Sequence, residues 1–400
     1  MQHDFITVRL GLEGVVVVAH QEFVDRFEVV VRYRKRGEAC PRCGCWAERI
    51  HSRSRQRKRD RCLWSKPVLL WLEKRRFRCG RCGKVFTEAD PAFGARRRTS
   101  RRLREYLGEE ALHQTMRRVA AQEGVGEGLV RRCLTELAAQ EVASRDGLAD
   151  VTILGLDEYA VKRRHVYDTT ICDLVNHRVV GVVGGRGSRE VAAYLGRLPH
   201  PEGVQAVVMD LHEPYRHAVR QALGDTPIVA DKFHVVRLVN QALEEVRRRV
   251  QRQSWGAARR DLGRFKWVLV KGVERLTLKQ QGRLTRLLEA GDLRRAWVLK
   301  EEFRAWYRTA TAEDAAVGLA RWEEALRREG PPEFHPLLTT CRRWRQELLN
   351  YFRWRYTNGY TEGLNNRIKA IKRRGYGYRN RDNLRRLIML STGDWARRAA

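Results

Sequence analysis

The chain has 400 residues, and its 80 lysines and arginines outnumber its 48 aspartates and glutamates, which gives a formal net charge of +32. Such an excess favours polyanionic partners, so nucleic acid is the leading candidate and a membrane surface the second. No apolar run reaches the roughly 20 residues of a membrane span, and the start, MQHDFITVRL, lacks the pattern of a secretory signal. We therefore expect a cytoplasmic, nucleoid-associated protein of more than one domain, with reduced thiols.

The first hundred residues predict a small β hairpin and a metal site. VVVVAH and FEVVVRYRKRG are β-branched runs separated by polar residues, as in a hairpin. CPRCG and CGRCG then place Cys40 with Cys43, and Cys79 with Cys82, in two Cys-x-x-Cys knuckles. Two such knuckles complete the four-sulfur shell of a structural Zn²⁺ site. Between them, RSRQRKRDR is expected to form an inserted loop whose basic tip lies on phosphates.

The other cysteines have less distinctive surroundings. Cys45 and Cys62 lie close to the knuckles in sequence, so either is an alternative zinc ligand. Cys133, Cys172 and Cys341 stand alone, and we expect them to be ordinary buried small side chains.

A helix-turn-helix is predicted within TMRRVAAQEGVGEGLVRRCLTEL. Ala120 is a small residue for the first helix, Gly124 suits the turn, and Val130 is an apolar anchor for the second helix. The second helix then offers Arg131 and Arg132 to DNA. A plain helical hairpin is the alternative, and the basic zinc-binding segment beside it favours DNA binding.

From residue 151 the pattern changes to alternating strands and helices. The predicted order is three strands, then helix, strand, helix, strand and helix, which is the order of a ribonuclease H-like core. The predicted strands contain VTILGLDEYAV, HVYDTTICDLV, HRVVGVVGG, VQAVVMD and TPIVAD. In this order Asp157 lies on the first strand and Asp210 at the end of the fourth. The first and fourth strands are neighbours in such a sheet, so the two carboxylates are expected to converge. Paired carboxylates bind Mg²⁺, and two such ions about 4 Å apart activate a nucleophilic oxygen and stabilise the leaving oxygen of a phosphodiester.

A charged, tryptophan-bearing stretch from about 241 to 345 predicts a helical insertion in this core. Its tryptophans recur at helical spacing and are expected to be core residues, although an exposed one could wedge into a flipped or hairpin DNA end.

The segment YTNGYTEGLNNRIKAIKRR predicts a helix with an acid at its leading edge. Glu362, Asn366, Lys369 and Arg373 recur at spacings of four, three and four, so they share one face. Capping of the helix is one interpretation of the acid, with Asn358 as the cap residue. The other is that Glu362 supplies the third carboxylate of the metal site, while Asn366, Lys369 and Arg373 follow the DNA backbone.

Several blocks of the sequence resemble the insertion-sequence transposases of the ISL3 family. They are LGLDE, VVMDLHEPY, VADKFHVVRLVNQAL and YTNGYTEGLNNRIKAIKRRGYGYRN, and CPRCG with FRCGRCGKVF resembles that family's zinc-binding domain. The resemblance implies a DDE transposase in which Asp157, Asp210 and Glu362 are the catalytic acids and hold two Mg²⁺ or Mn²⁺ ions. Asp231 also matches a family block, and we expect it to be a structural residue or a partner of the metal ligands, with metal binding as the alternative.

The fold expected from these patterns is an α/β, ribonuclease H-like catalytic core interrupted by an all-α insertion, with an N-terminal zinc ribbon and helix-turn-helix. The expected boundaries are 1–95 for the hairpin and zinc domain, 96–149 for the helix-turn-helix, 150–240 and 346–400 for the two parts of the core, and 241–345 for the insertion. The predicted function is Mg²⁺-dependent cleavage and strand transfer at terminal inverted repeats of double-stranded DNA, by at least a homodimer. A structure-selective nuclease or resolvase on the same fold, and a DNA-binding repressor with an inactive core, are the alternatives.

Overall fold

The computed structural model describes residues 10–143, 151–162, 166–375, 378 and 380–392. They form two compact units, each with its own internal contacts. The first unit contains the described residues from 10 to 143 together with Ile371–Ser391, and the second contains those from 151 to 370 together with Thr392. Within the described ranges, no helix is both long enough and apolar enough to cross a membrane.

The first unit begins with a β-sheet. Its strands run in the order β1-β2-β6-β5, with β7 paired to β6, while β3 and β4 form a separate short pair. The strands are β1 (Val15–Glu22), β2 (Phe27–Tyr33), β3 (Glu38–Ala39), β4 (Trp46–Ala47), β5 (Ile50–Leu63), β6 (Lys66–Arg78) and β7 (Val85–Thr87). β1 and β2 are antiparallel, which confirms the hairpin predicted from their sequences.

The arginine-rich segment between the cysteine knuckles is a strand, and the prediction of an inserted loop was wrong. It lies in β5, which pairs with β6 in antiparallel register and is joined to it by a turn at Trp64 and Ser65, with φ angles of 48° and 62°. β6 supplies the apolar face of this ribbon through Leu70 and Leu72, which are fully buried. Residues 51–57 of β5 are exposed, so the first half of the strand presents its arginines to solvent, whereas Lys58 is buried.

Three helices follow in the first unit, α1 (Arg101–His113), α2 (Met116–Glu123) and α3 (Glu127–Ala143). α2 ends at Gly124, whose φ of 59° lies in the left-handed region that favours glycine. Ala120 and Val130 are buried, at 5% and 0% exposure, on the two sides of this turn. The small, glycine and apolar positions therefore occupy the places that the sequence predicted for them.

The second unit is built on a sheet with the strand order β10-β9-β8-β11-β12. Its strands are β8 (Ile153–Lys162), β9 (Val166–Asp173), β10 (Arg178–Gly184), β11 (Ala206–Met209) and β12 (Ile228–Ala230), and its first helices are α4 (Ser188–Leu195), α5 (Glu213–Leu223) and α6 (Lys232–Gln253). The predicted order of these elements is confirmed. β8 is antiparallel to β9 and parallel to β11, so the first and fourth strands are neighbours, as expected.

A helical segment separates α6 from the C-terminal helices. It contains α7 (Gly256–Arg264), α8 (Lys266–Val270), α9 (Leu278–Leu287), α10 (Gly291–Thr309), α11 (Ala315–Glu329), α12 (His335–Arg343) and α13 (Arg345–Trp354), and it leads into α14 (Gly359–Arg374) and α15 (Arg381–Thr392). Trp306, Trp322 and Trp344 are buried, which confirms the prediction of core tryptophans at these positions. Trp255 and Trp267 differ, with 80% and 40% exposure.

Candidate active site and zinc centre

The four knuckle cysteines meet at one point. The Sγ atoms of Cys40 and Cys82 lie 3.6 Å apart, as do those of Cys43 and Cys79. A tetrahedral Zn²⁺ with Zn–S bonds of about 2.3 Å requires S–S distances of about 3.8 Å, so the cluster has the size of a zinc shell. All four sulfurs lie within 4.8 Å of one another.

The electrostatics of this cluster also suit a bound cation. The backbone N–H of Cys82 is the main reason that the pKa of Cys79 falls to about 6. The Cys45 amide lowers the pKa of Cys43, but burial and the neighbouring thiols outweigh it and raise that pKa to about 12. Four sulfurs at this separation cannot all ionise without a positive charge between them, which a bound Zn²⁺ ion would supply.

The remaining cysteines lie outside this shell. The Sγ of Cys45 accepts a long hydrogen bond of 3.5 Å from Arg81, and the backbone N–H of Cys62 donates to Glu123. Cys133, Cys172 and Cys341 are buried, which agrees with their predicted role as small core side chains.

Two aspartates converge at one edge of the second unit's sheet. Asp157 lies within β8 and is 6% exposed, and Asp210 directly follows β11. The residues just before them, Leu156 and Met209, are paired across the two strands, so the aspartates lie at the same level of the sheet. Burial and then the nearby charge of Asp210 raise the pKa of Asp157 to about 7. Two carboxylates that resist joint ionisation are stabilised when a cation binds between them.

His234 connects Asp210 to a third carboxylate, Asp231. Its Nδ1 atom lies 2.7 Å from Asp210 Oδ1 and 2.8 Å from Asp231 Oδ2. Burial opposes the charged imidazole, but these two carboxylates outweigh it and raise the pKa of His234 to about 10. These three groups bring their ligand atoms within 4.8 Å of one another. His234 was not predicted from the sequence, although its place in the first turn of a helix that begins at an aspartate was a usable signal.

Asp231 already has several structural partners. Its side chain caps α6 by accepting from the backbone N–H of His234, and its other oxygen accepts from the N–H of Asn358 at 2.9 Å. It is 1% exposed. Asp231 therefore ties the start of α6 to the segment before α14, and it also belongs to the cluster of possible metal ligands.

The first turns of α14 are hydrogen-bonded to this edge of the sheet. The amide nitrogen of Asn365 donates to Asp157 Oδ2 at 2.8 Å, and the amide nitrogen of Asn358 donates to the carbonyl oxygen of Leu156 at 2.9 Å. Neither asparagine was predicted to contact the sheet, because nothing in the local sequence indicates a contact with a strand about 200 residues earlier.

Glu362 is exposed in the first turn of α14, three residues before Asn365. Within the part of the chain that the structure describes, its carboxylate forms no ion pair, so its charge is not neutralised by a neighbour. It does not belong to the acid and histidine cluster whose ligand atoms lie within 4.8 Å. Glu362 therefore lies within one helical turn of Asn365, which contacts Asp157, but Glu362 itself does not contact the other acids.

The predicted DNA-contacting side chains are exposed. Asn366, Lys369 and Arg373 lie on one side of α14, with Lys369 donating to the side-chain oxygen of Asn366 at 3.2 Å. Arg131 and Arg132 are exposed on α3 and line a cavity of about 330 Å³ in the first unit.

Known proteins resemble this chain along most of its length. A family model of the ISL3 DDE transposases, described as a transposase, matches residues 154–388. A second model, described as a zinc-finger of transposase IS204/IS1001/IS1096/IS1165, matches residues 28–82. The transposase for insertion sequence element IS1001 of Bordetella parapertussis is 26% identical over 352 residues, which cover 86% of both chains. The transposase for IS1557 of Mycobacterium tuberculosis H37Rv is 26% identical over 272 residues, which are 62% of this chain and 61% of that protein.

A zinc ribbon followed by an α/β domain of this family defines a DNA-cleaving transposase. The chain belongs to the ISL3 family of insertion-sequence transposases.

Proposed function

We propose that this transposase binds the terminal inverted repeats of an insertion sequence, cleaves the DNA at the element ends and joins the freed 3′-hydroxyls to target DNA. The observation that carries the proposal is the pair formed by Asp157 and Asp210 at one edge of the sheet. Asn365 of the basic helix α14 is hydrogen-bonded to Asp157 at this edge. The direct test is Mg²⁺-dependent nicking of a labelled terminal-repeat duplex by the purified protein.

The α/β domain is proposed to be a ribonuclease H-like core. Support comes from the strand order β10-β9-β8-β11-β12, with three antiparallel strands followed by two parallel ones. The positions of Asp157 on β8 and Asp210 after β11 fit the same arrangement. The proposed core comprises residues 150–240 and 346–400, separated by a helical insertion at 241–345, although Ile371–Ser391 groups with the first unit.

Asp157, Asp210 and Glu362 are proposed to hold two divalent ions, Mg²⁺ or Mn²⁺. Bound there, the ions would supply a nucleophilic oxygen and stabilise the leaving oxygen of the phosphodiester. The carboxylates suit hard cations, which take oxygen ligands. Asp157 and Asp210 would form the fixed part of the site, while Glu362 would come from the exposed face of α14.

Asn365 is proposed to be a positioning residue for Asp157, and its removal gives a specific expectation. Asn365→Ala frees Asp157 Oδ2 from its 2.8 Å hydrogen bond. Partners of metal ligands typically contribute about 10–100-fold to metal affinity, so the Mg²⁺ concentration for half-maximal nicking should rise about tenfold or more. The adjacent Asn366→Ala is the matched control, and it should weaken DNA binding without changing the Mg²⁺ requirement. Equal Mg²⁺ requirements in Asn365→Ala and the wild type would refute this role.

The N-terminal knuckles are proposed to bind one structural Zn²⁺ through Cys40, Cys43, Cys79 and Cys82. The S–S distances of 3.6 Å support this assignment. A closed four-sulfur shell leaves no open position for a substrate, so the ion would stabilise the fold of residues 1–95.

DNA recognition is proposed to involve two parts of the chain. Residues 96–149 are proposed to be a helix-turn-helix whose second helix presents Arg131 and Arg132, and support comes from the left-handed Gly124 between α2 and α3. Asn366, Lys369 and Arg373 of α14 would follow the backbone near the cleaved bond. Because two element ends must be joined, the active form is proposed to be at least a homodimer, acting on the nucleoid in the cytoplasm.

Arg131→Ala combined with Arg132→Ala should remove the preference for element ends. A good base contact contributes about 1–3 kcal/mol of discrimination, so specific binding should fall roughly tenfold or more while nonspecific binding persists. The double variant Arg327→Ala, Arg328→Ala loses the same charge from exposed positions on α11 and is the control. Gel-shift titrations with terminal-repeat and scrambled duplexes at two salt concentrations measure the effect. An unchanged ratio between the two duplexes would exclude α3 as the recognition helix.

A further inference from the structure

Phe233 is an exposed aromatic side chain next to the acid site. It is the second residue of α6, between Asp231 and His234, and it is 55% exposed. Its ring also approaches the start of α14, where Cε2 lies 3.8 Å from the position that a Cβ atom on Gly359 would occupy. The ring therefore lies between the starts of the two helices that carry His234 and Glu362.

Arg237 shares this face of α6 with Phe233. It is four residues further along the helix, so the two side chains are neighbours on the surface. Arg237 is exposed, and within the described residues it has no acidic partner. It lines a cavity of about 300 Å³ together with Asp210 and His234. An unpaired cation that faces the acid site suits a phosphate group.

We propose that Phe233 stacks on the nucleobase next to the phosphodiester bond that the acid site cleaves, while Arg237 contacts a neighbouring phosphate. This inference rests on the proposed function, because it requires DNA at Asp157 and Asp210. The two side chains are about 6 Å apart along the helix axis. A base and the phosphate of its nucleotide are separated by the sugar, so a single nucleotide can reach both side chains.

The depth of the acid site gives a physical reason for such a contact. Asp157 is 6% exposed, so a strand that leaves the regular duplex would bring its phosphate closer to this recessed carboxylate than a strand held within the duplex. A base displaced in this way loses its stacking partners, and an aromatic ring at the edge of the site replaces them. Since every base has a π face, the contact tolerates any sequence at the cleaved position.

The test uses the full-length protein and a duplex of the element end taken from the DNA that flanks the gene. For binding, 2-aminopurine replaces each nucleotide near the cleaved bond in turn, and fluorescence is recorded in Ca²⁺. The wild type should give a rise at one position, because leaving the duplex stack relieves quenching. Phe233→Ala should lose that rise.

Single-turnover nicking in Mg²⁺ gives the second readout. Phe233→Ala should nick about tenfold more slowly than the wild type, whereas Phe233→Trp should stay within about threefold. Leu278→Ala, at an 86% exposed position in the first turn of α9, is the control and should be unchanged. On a duplex with an abasic site at the stacked nucleotide, the wild type and Phe233→Ala should nick at equal rates.

Two results would overturn the inference. One is a Phe233→Ala variant that gives the same fluorescence rise and the same nicking rate as the wild type. The other is a defect of Phe233→Ala that persists in full on the abasic duplex, because the ring would then serve the fold or a protein contact. If the wild-type protein nicked no DNA, the proposed function would fail, and the fluorescence comparison would still decide whether Phe233 holds an unstacked base.

Discussion

Asp157→Asn, Asp210→Asn and Glu362→Gln are each expected to reduce Mg²⁺-dependent nicking by roughly 10³-fold or more, since residues that act as one catalytic unit have effects of this size or larger. Each substitution keeps the shape of the side chain and removes the charge that would hold the cations. DNA binding should persist or tighten, because an acid is lost from a surface that faces phosphates.

The same reasoning predicts that the effects are not additive. Once one carboxylate is lost, the site no longer holds its ions in position, so the double variants should be no slower than the single ones. Asp225→Asn is the control, because it removes one negative charge from an exposed position in the same unit. Multiplying defects in the double variants would show that the acids act separately.

Loss of the zinc shell should have the largest effect on stability. Cys40→Ser or Cys79→Ser is expected to abolish zinc binding and to unfold the knuckle region. The core there consists of five buried residues, two of which belong to the four-sulfur cluster: Cys40, Ala47, Phe77, Cys79 and Phe86. So small a core depends on the free energy that a structural metal supplies.

Neighbouring regions should respond differently. The separate cluster that contains Val31, Leu70 and Phe93 is larger, so the β2 and β6 strands should keep most of their protection from hydrogen exchange. Cys45→Ser is the matched control, because Cys45 lies outside the four-sulfur cluster, and it should retain one zinc per chain. Elemental analysis and hydrogen exchange measure both quantities. A well-folded knuckle without zinc would contradict the assignment.

The sequence predicted the parts of the fold in which local pattern and tertiary structure agree. The strands β8, β11 and β12 are apolar runs, and Asp157, Asp210 and Asp231 lie within or directly after them, so the acids could be placed on one edge of a sheet. The Cys-x-x-Cys spacing identified the four sulfurs because the ligand geometry is local at each knuckle.

Other features depend on distant partners and had no local signal. RSRQRKRDR has no apolar face of its own, and it is a strand because β6 supplies the buried side of the ribbon. The Asn365 contact with Asp157 joins residues that are 208 apart in the chain. Ile371–Ser391 belongs to the first unit although it lies at the other end of the sequence. These contacts join segments that are far apart in the chain, so the residues on either side of each position give no indication of them.

The most direct test of the account is the rate of Mg²⁺-dependent nicking of a terminal-repeat duplex by Glu362→Gln, with binding measured in parallel. Glu362 is the decisive position because helix capping and metal binding are both open to an acid in the first turn of α14. If Glu362 is the third catalytic acid, nicking falls by about 10³-fold or more while binding is kept or strengthened. Near-normal nicking by Glu362→Gln would contradict the account, and it would make Asp231 the next candidate for the third ligand.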